Sequence, residues 1–353
     1  METEGIAELP KVTIIVVNFN GLPYVDDCVA SVLRTNYSHF DLVLVDNDSK
    51  DGSLDHVLNS FGYDQKLRVL ANNRNLGYAK ANNMGAAIAS SKYLVFLNPD
   101  TVVRPNWLKP LVDIFETTND VAATQSKLLL ARDRRTLDSC GHMLTQLGLT
   151  VDVGAGELDS GQFDRVFSIF SAKGAAFAVR NQVFKKVGGF DPDFFLLREE
   201  SDLCWRMWLV GYRVLFVPES VVFHVGGATF RELGEERKRK VIWPLWYRNT
   251  MYMIIKNAEF KTLACMLSSF LTLSLGDGLA TLVLQGNPDK LTSIILALCE
   301  VITRFKHLWA SRTHVQLLRR KSDRDLSSHI IWRISPSYKL SLRRRNTSFR
   351  QIF

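Results

Sequence analysis

Cysteine is scarce in this 353-residue chain, and what there is does not pair. Cys28, Cys140, Cys204, Cys265 and Cys299 are scattered, odd in number and without a CxxC spacing. Such a set argues against a disulfide scaffold and reads as reduced, mostly buried thiols, which places the catalytic part in the cytosol. Two phosphate-binding fingerprints, a Walker A pattern and GxGxxG, are missing, which weakens the P-loop and dinucleotide readings. The opening segment Met1 to Pro10 carries three glutamates and no long apolar core, so it is not read as a secretion signal. A clean bilayer span of about 20 mainly apolar residues is absent too. Lys261 to Gln285 has the length, but Gly276-Asp277-Gly278 interrupts it and the uncharged run ends at Leu275.

Acidic residues fall short of basic ones, leaving a net charge of +8. The surplus lies late, in Arg237-Lys238-Arg239-Lys240, Arg319-Arg320-Lys321 and Arg343-Arg344-Arg345. These runs flank apolar segments and come with no zinc-finger or RNA-recognition signature, so an anionic membrane surface fits better than nucleic acid. A hydrophobic content of 46% with 23% charged residues is ordinary for a folded protein. The length allows two or three structural units.

The first half alternates apolar strand runs with helical patterns, which predicts an α/β fold around a mainly parallel sheet. Val12 to Val17, Phe40 to Val45, Leu67 to Leu70 and Tyr93 to Leu97 read as strands, with helices over Tyr24 to Arg34, Leu54 to Ser60 and Gly77 to Ala89. A helix over Trp107 to Thr117 and an extended Val121 to Leu129 follow. Ala131 to Phe163 is rich in Gly and Asp and weakly periodic, a loop or hairpin region expected to shape the acceptor side. Ser171 to Val179 is strand-like, Gln182 to Val187 a short helix, Glu200 to Val210 a helix stopped by Gly211, and Val214 to Val217 a last strand before Pro218.

Strands that end in polar clusters deliver them to one edge of the sheet, where open α/β folds bind ligands. Asp46 and Asp48 follow the second strand and can accept hydrogen bonds from a nucleobase or ribose; an Asx-capped turn is the competing reading. Arg74, in Asn72-Asn73-Arg74-Asn75, has the planar fork suited to a diphosphate. Asp100, after the fourth strand, can hold a hard divalent cation, with Asn98 orienting it or supporting the ribose. His224, before Gly226-Gly227, is a candidate metal or phosphate ligand. Glu199, Glu200 and Asp202 crowd one helix start, where a single acid would satisfy the helix dipole. Arg206, one turn on, neutralises Asp202, which leaves Glu199 or Glu200 as the general base.

Taken in order, Val16-Val17-Asn18-Phe19-Asn20, Val45-Asp46-Asn47-Asp48-Ser49, Asn75-Leu76-Gly77-Tyr78-Ala79 with Asn82-Asn83, and Phe96-Leu97-Asn98-Pro99-Asp100 resemble the family 2 glycosyltransferases of GT-A fold. Gly188-Gly189-Phe190-Asp191, Phe194-Phe195 and Glu199-Glu200-Ser201-Asp202-Leu203-Cys204-Trp205-Arg206 continue the series, closest to its rhamnosyltransferase-like branch. The resemblance covers about residues 11 to 256 and ends in Tyr247-Arg248-Asn249. It implies a nucleoside diphosphate sugar donor, a divalent cation (Mg²⁺ or Mn²⁺) and an inverting single displacement. Together with the reading of the residues it gives Asn18, Asn20, Asp46, Asp48, Arg74, Asn75, Gly77, Asn83, Asn98 and Asp100 as expected donor-binding residues, and Asp100 with His224 as expected metal ligands. Asn98 replaces the first acid of the family's DxD-like motif, and Glu200 stands where many relatives carry Asp.

The expected organisation is a nucleotide-sugar-binding half over 1–115, an acceptor-binding and catalytic half over 116–240, a helical membrane-associating region over 241–334 and a basic flexible tail over 335–353. The acceptor is expected to be a glycan or lipid-linked glycan at the cytoplasmic face of the membrane, in cell-surface polysaccharide or glycoprotein glycan assembly. In-plane helices would turn Leu291, Ile294, Ile295, Leu298 and Val301 to the lipid interface. The competing expectation packs them on the catalytic core or in a homodimer. A catalytically silent nucleotide-sugar-binding or scaffold protein and a processive polysaccharide synthase are the rival functions. The synthase's usual QxxRW motif and multiple spans do not occur.

Overall fold

The computed structural model describes residues 9–227, 234, 236 and 238–331. The expectations placed on residues 1–8, Arg237 and the tail from 335 lie outside the described residues.

Val, Ile and Leu runs too short for helices form the centre of a mixed sheet. Strands β1 (Val12–Asn18), β2 (Phe40–Asp46), β3 (Leu67–Ala71) and β4 (Tyr93–Leu97) make its parallel half, in the order β4-β1-β2-β3. Helices α1 (Val25–Leu33), α2 (Ser53–Phe61) and α3 (Gly77–Ala87) connect them. Burial alternates along each strand: Ile14, Val16, Leu42 and Leu44 enter one core and Ile15, Val43 and Val45 the other. Both faces are therefore covered, as apolar parallel strands require.

The sheet continues through a short β5 (Thr101–Val103), helix α4 (Leu108–Thr117) and the long β6 (Val121–Leu130). Three brief strands follow, β7 (Leu137–Ser139), β8 (His142–Thr145) and β9 (Thr150–Asp152), then β10 (Phe167–Ser168), β11 (Ala176–Arg180), α5 (Asn181–Lys186), α6 (Glu199–Leu209) and β12 (Arg213–His224). β11 runs antiparallel between β4 and β6, while β12 lies parallel to β6. The region expected as loop or hairpin is thus the β8-β9 hairpin, the core of a second, three-stranded sheet. β12 does not stop at Pro218. Its register with β6 jumps between Val217 and Val221, and Pro218 sits in that bulge, where no ladder amide is needed.

A π-helical turn over Lys238–Ile242 leads into α7 (Trp243–Asn257), then α8 (Phe260–Gln285), α9 (Asp289–Thr303), α10 (Phe305–Leu318) and β13 (Ile330–Ile331). Gly276-Asp277-Gly278 does not interrupt α8, which runs unbroken for 26 residues and has the length and apolarity of a membrane span. Gly278 permits close helix packing, since a Cβ there would lie 3.3 Å from the Leu291 Cα, and Asp277 is paired with Lys290 at 2.7 Å. The face expected to meet lipid also needs correction. Ile294 and Val301 are buried in the main core, Leu291 and Leu298 are half-buried, and only Ile295 of that set is exposed.

Candidate active site

Parallel registry brings the strand ends together: Asn18 lies opposite Asp46, and Leu97, just before Asn98, lies opposite Val16. Antiparallel β11 begins with Ala176 opposite Leu97, and β12 ends with His224 opposite Thr101, so Lys173, Gly174 and His224 reach the same edge.

On the donor side, several expected residues shape the backbone. Asn18 is fully buried and donates to Asp46 (2.9 Å), Ser49 (3.1 Å) and Ser53 (2.8 Å). Asp46 also accepts the Ser49 amide at 3.0 Å and hydroxyl at 2.6 Å, which ties down the turn after β2. Asn20 and Asp48 both take left-handed φ, at 52° and 69°. The Asn20 carboxamide oxygen accepts the Lys50 amide, and Asp48 pairs with the Lys50 ammonium at 2.6 Å. A cleft of about 440 Å³ opens there, lined by Asn20, Leu22, Pro23, Lys50 and Asp51.

Asn75 accepts the Gly77 amide (2.8 Å) and the Asn47 side chain (2.9 Å). Asn47 also accepts from the Asn72 side chain and the Leu76 amide, so one buried carboxamide organises the whole turn. Gly77 has φ 78°, and a Cβ there would sit 2.4 Å from the Phe195 carbonyl oxygen. Asn83 is spent on the Phe190 backbone at both ends of its amide. Arg74 is exposed, and both it and the half-buried Asn98 side chain make no hydrogen bond or ion pair among the described residues.

Asp100 is 8% exposed and meets His224 Nε2 at 3.3 Å. His224 Nδ1 meets Asp138 at 2.8 Å. From there a buried polar chain continues: Lys173 Nζ reaches Asp138 at 3.0 Å and Asp152 at 3.4 Å, and Asp152 lies 3.1 Å from His142 Nε2. His142 Nδ1 is 3.2 Å from the Ser171 hydroxyl, itself 3.2 Å from that of Ser201 in the first turn of α6. Asp100 and the first turn of α6 are therefore two ends of one network.

Burial would raise these carboxyls, but their cationic neighbours win. His224 holds Asp100 below the usual carboxylate range, Lys173 and then His224 hold Asp138 down at about 2, and Lys173 with His142 holds Asp152 lower still. Burial would lower the imidazole, yet Asp100 and Asp138 push His224 up to about 9. Asp138, His142, Asp152 and Lys173 are absent from the sequence expectations. The strands of Asp138, His142 and Asp152 are only three or four residues long, with the Asp-rich composition of 131–163 as the one hint, and Lys173 lies in the loop before β11.

At α6, Asp202 is fully buried and pairs with Arg206 as expected (2.8 Å), and with Lys256 (3.0 Å) and Asn257 (2.8 Å) of α7. Glu199 is 4% exposed and its Oε2 has no partner; burial first, then Glu200, pushes its carboxyl well above the usual range. Glu200 is half-exposed. Leu197 and Arg198, just before them, both have left-handed φ (76° and 74°). Asn249 of α7 holds this bend by donating to the Leu196 and Leu197 carbonyls at 2.8 and 2.7 Å, and Arg198 lies over the Trp246 ring.

Among the described residues no complete set of three Asp, Glu, His or Cys ligands converges on a cation position. Asp100 and His224 would be the residues to hold a hard divalent ion, which would have to displace the Nε2 proton that the flanking carboxylates stabilise. The Asp138 carboxylate behind His224 is the partner that orients a ligating imidazole.

Sequence comparison gives the fold and site their family. Residues 13–202 match the glycosyl transferase family 2 description, and the chain belongs to that family. It is 26% identical over 119 residues to an uncharacterized glycosyltransferase of Haemophilus influenzae, covering 34% of this chain and 37% of that protein. It is 29% identical over 230 residues to the O-antigen biosynthesis protein RfbC of Myxococcus xanthus, covering 63% of this chain and 18% of that protein. The chain thus matches well under half the length of these relatives. The fold is GT-A: the mannosyltransferase PcManGT of Pyrobaculum calidifontis, solved with GDP-Man and Mn²⁺, superposes with a TM-score of 0.54 at 16% identity over 88% of this chain and 85% of that one.

Proposed function

We propose that the protein transfers a hexose or deoxyhexose, in the manner of the rhamnosyltransferase-like branch, from a nucleoside diphosphate sugar to a glycan acceptor, lipid-linked, with inversion. The observation that carries this reading is the Asp100-to-Ser201 network, which joins a cation-competent carboxylate to a helix start bearing two glutamates. Asn20, Asp48 and the adjoining cleft receive the nucleoside, and the unpaired Arg74 meets the diphosphate. A divalent cation, when held by Asp100 and His224, supplies charge neutralisation for the departing diphosphate. Glu200, the accessible glutamate, takes the acceptor hydroxyl's proton as that oxygen attacks the anomeric carbon from the face opposite the diphosphate. Asp138 and Lys173 keep His224 oriented, and the β8-β9 hairpin forms part of the acceptor wall.

The test is a thermal-shift and nucleotide-release screen of donor sugars with Mg²⁺ and Mn²⁺. A matching donor should raise Tm and be hydrolysed slowly, and Asp100→Asn should abolish the metal-dependent part of both while keeping the fold. Stabilisation by a donor with no turnover toward any acceptor would favour the silent sugar-binding protein. No stabilisation by any donor would overturn the reading.

A further inference from the structure

We infer that the outer face of α8, α9 and α10 docks on an anionic lipid bilayer. These helices pack inward on α7, with Met266, Phe270, Ile294 and Leu308 in the main core. On α8 and α9 large apolar residues stand open: Val283 is 78% exposed, Leu284 81%, Ile302 70%, Leu296 52% and Ile295 50%. Val283 and Leu284 lie at the end of α8, where the chain from Gly278 to Pro288 carries no charge. The stacked pair Phe305 and Trp309 adds half-exposed rings of the kind enriched at membrane interfaces.

Charge selects the occupant. The acids of this region are neutralised from within: Asp277 by Lys290 (2.7 Å), Asp289 by Arg239 (3.0 Å), Glu300 by Arg248 (2.7 Å) and Asp323 by Arg319 (3.0 Å). Lys261, Lys306, Arg320, Lys321 and Arg324 stay exposed, against a single fully exposed acid, Asp325. Lys261 and Lys306 directly follow the exposed Phe260 and Phe305, so ammonium and apolar groups alternate at the rim. Anionic headgroups complement that rim, whereas pairing the face with a second copy would set like charges against each other. The stripe Met266, Phe270, Ser274, Gly278 and Thr281 of α8 is buried within the protein, and the proposed contact is a peripheral one made by the opposite side. The inference is independent of the catalytic reading, and its test uses no turnover.

Full-length protein should float with phosphatidylcholine vesicles containing about a third phosphatidylglycerol, and be released by pure phosphatidylcholine or high salt. Val283→Glu with Leu284→Glu should cut the vesicle-bound fraction at least about tenfold with unchanged Tm, because both side chains are already solvated. Lys261→Glu with Lys306→Glu should weaken binding to the anionic vesicles. Full-length protein left at the bottom of the gradient, or flotation indifferent to the Val283 and Leu284 substitutions, would overturn the inference. So would a dimer in light scattering that the same substitutions dissociate.

Discussion

Glu199 and Glu200 are sequence neighbours in opposite surroundings. Glu199 is sealed with an unpartnered oxygen, and burial, then Glu200, raises its carboxyl well above the usual range, which favours the neutral acid over the base. Glu200→Gln should therefore lower kcat by roughly 10²–10⁴-fold with nucleotide affinity nearly intact, and Glu199→Gln, which mimics the protonated acid, far less. Single-turnover kinetics on both variants would check this, and equal mild losses would exclude both as the base. His224 makes a second prediction. Its folded pKa of about 9 exceeds its ordinary 6.5, so its contribution is full below pH 6.5 and disappears as pH rises to 9. The depressed carboxyls of Asp100 and Asp138 express the same contacts, so the gain counts once and is on the order of 3 kcal/mol. In chelator, the Tm of the wild type should fall across that window relative to a flatter His224→Asn profile.

At the scale of elements, α7 acts as the splint of the bend that precedes Glu199 and Glu200. Two consecutive left-handed non-glycine residues cost about 1–2 kcal/mol each, and Asn249 holds both in place through two backbone carbonyls. Asn249→Ala should lower stability by about 1–3 kcal/mol and reduce kcat more than it weakens donor binding, as read from urea titration and steady-state kinetics. An unchanged kcat would mean that the bend holds itself. Elements of five residues or more with a clear period were legible in the sequence: the four parallel strands, the helices between them, and the Asp202–Arg206 pair one turn apart. What escaped was short or compensated. β7 to β9 are too brief for alternation to register, which hid Asp138, His142 and Asp152. Pro218 marks a bulge where a strand end was expected, and the glycine in Gly276-Asp277-Gly278 that reads as a break is where α9 approaches α8. The amide cluster around Asn75 was visible as a motif, but that Asn47 is its hub depends on side-chain geometry that spacing does not encode.

For the whole molecule, the five free thiols divide by depth. Cys28, Cys140 and Cys204 are buried, and burial pushes each thiol up to about 12, whereas Cys265 and Cys299 are exposed on α8 and α9. A thiol-alkylating reagent at neutral pH should label the two exposed cysteines in the native protein and all five only in denaturant, as intact mass would show. The β13-β8 pairing sets a different constraint, one of time. Ile330 aligns with Leu144, so the hairpin bearing His142 and Asp152 pairs with a segment synthesised nearly two hundred residues later. At ribosomal speeds that interval is on the order of 10–40 s. During it the parallel half of the sheet can already be folded, while β8 is paired on one edge only, with β9. A nascent chain would thus pass through a stage in which the hairpin keeps one open edge beside a folded parallel half, and stalling translation short of residue 330 should trap it there.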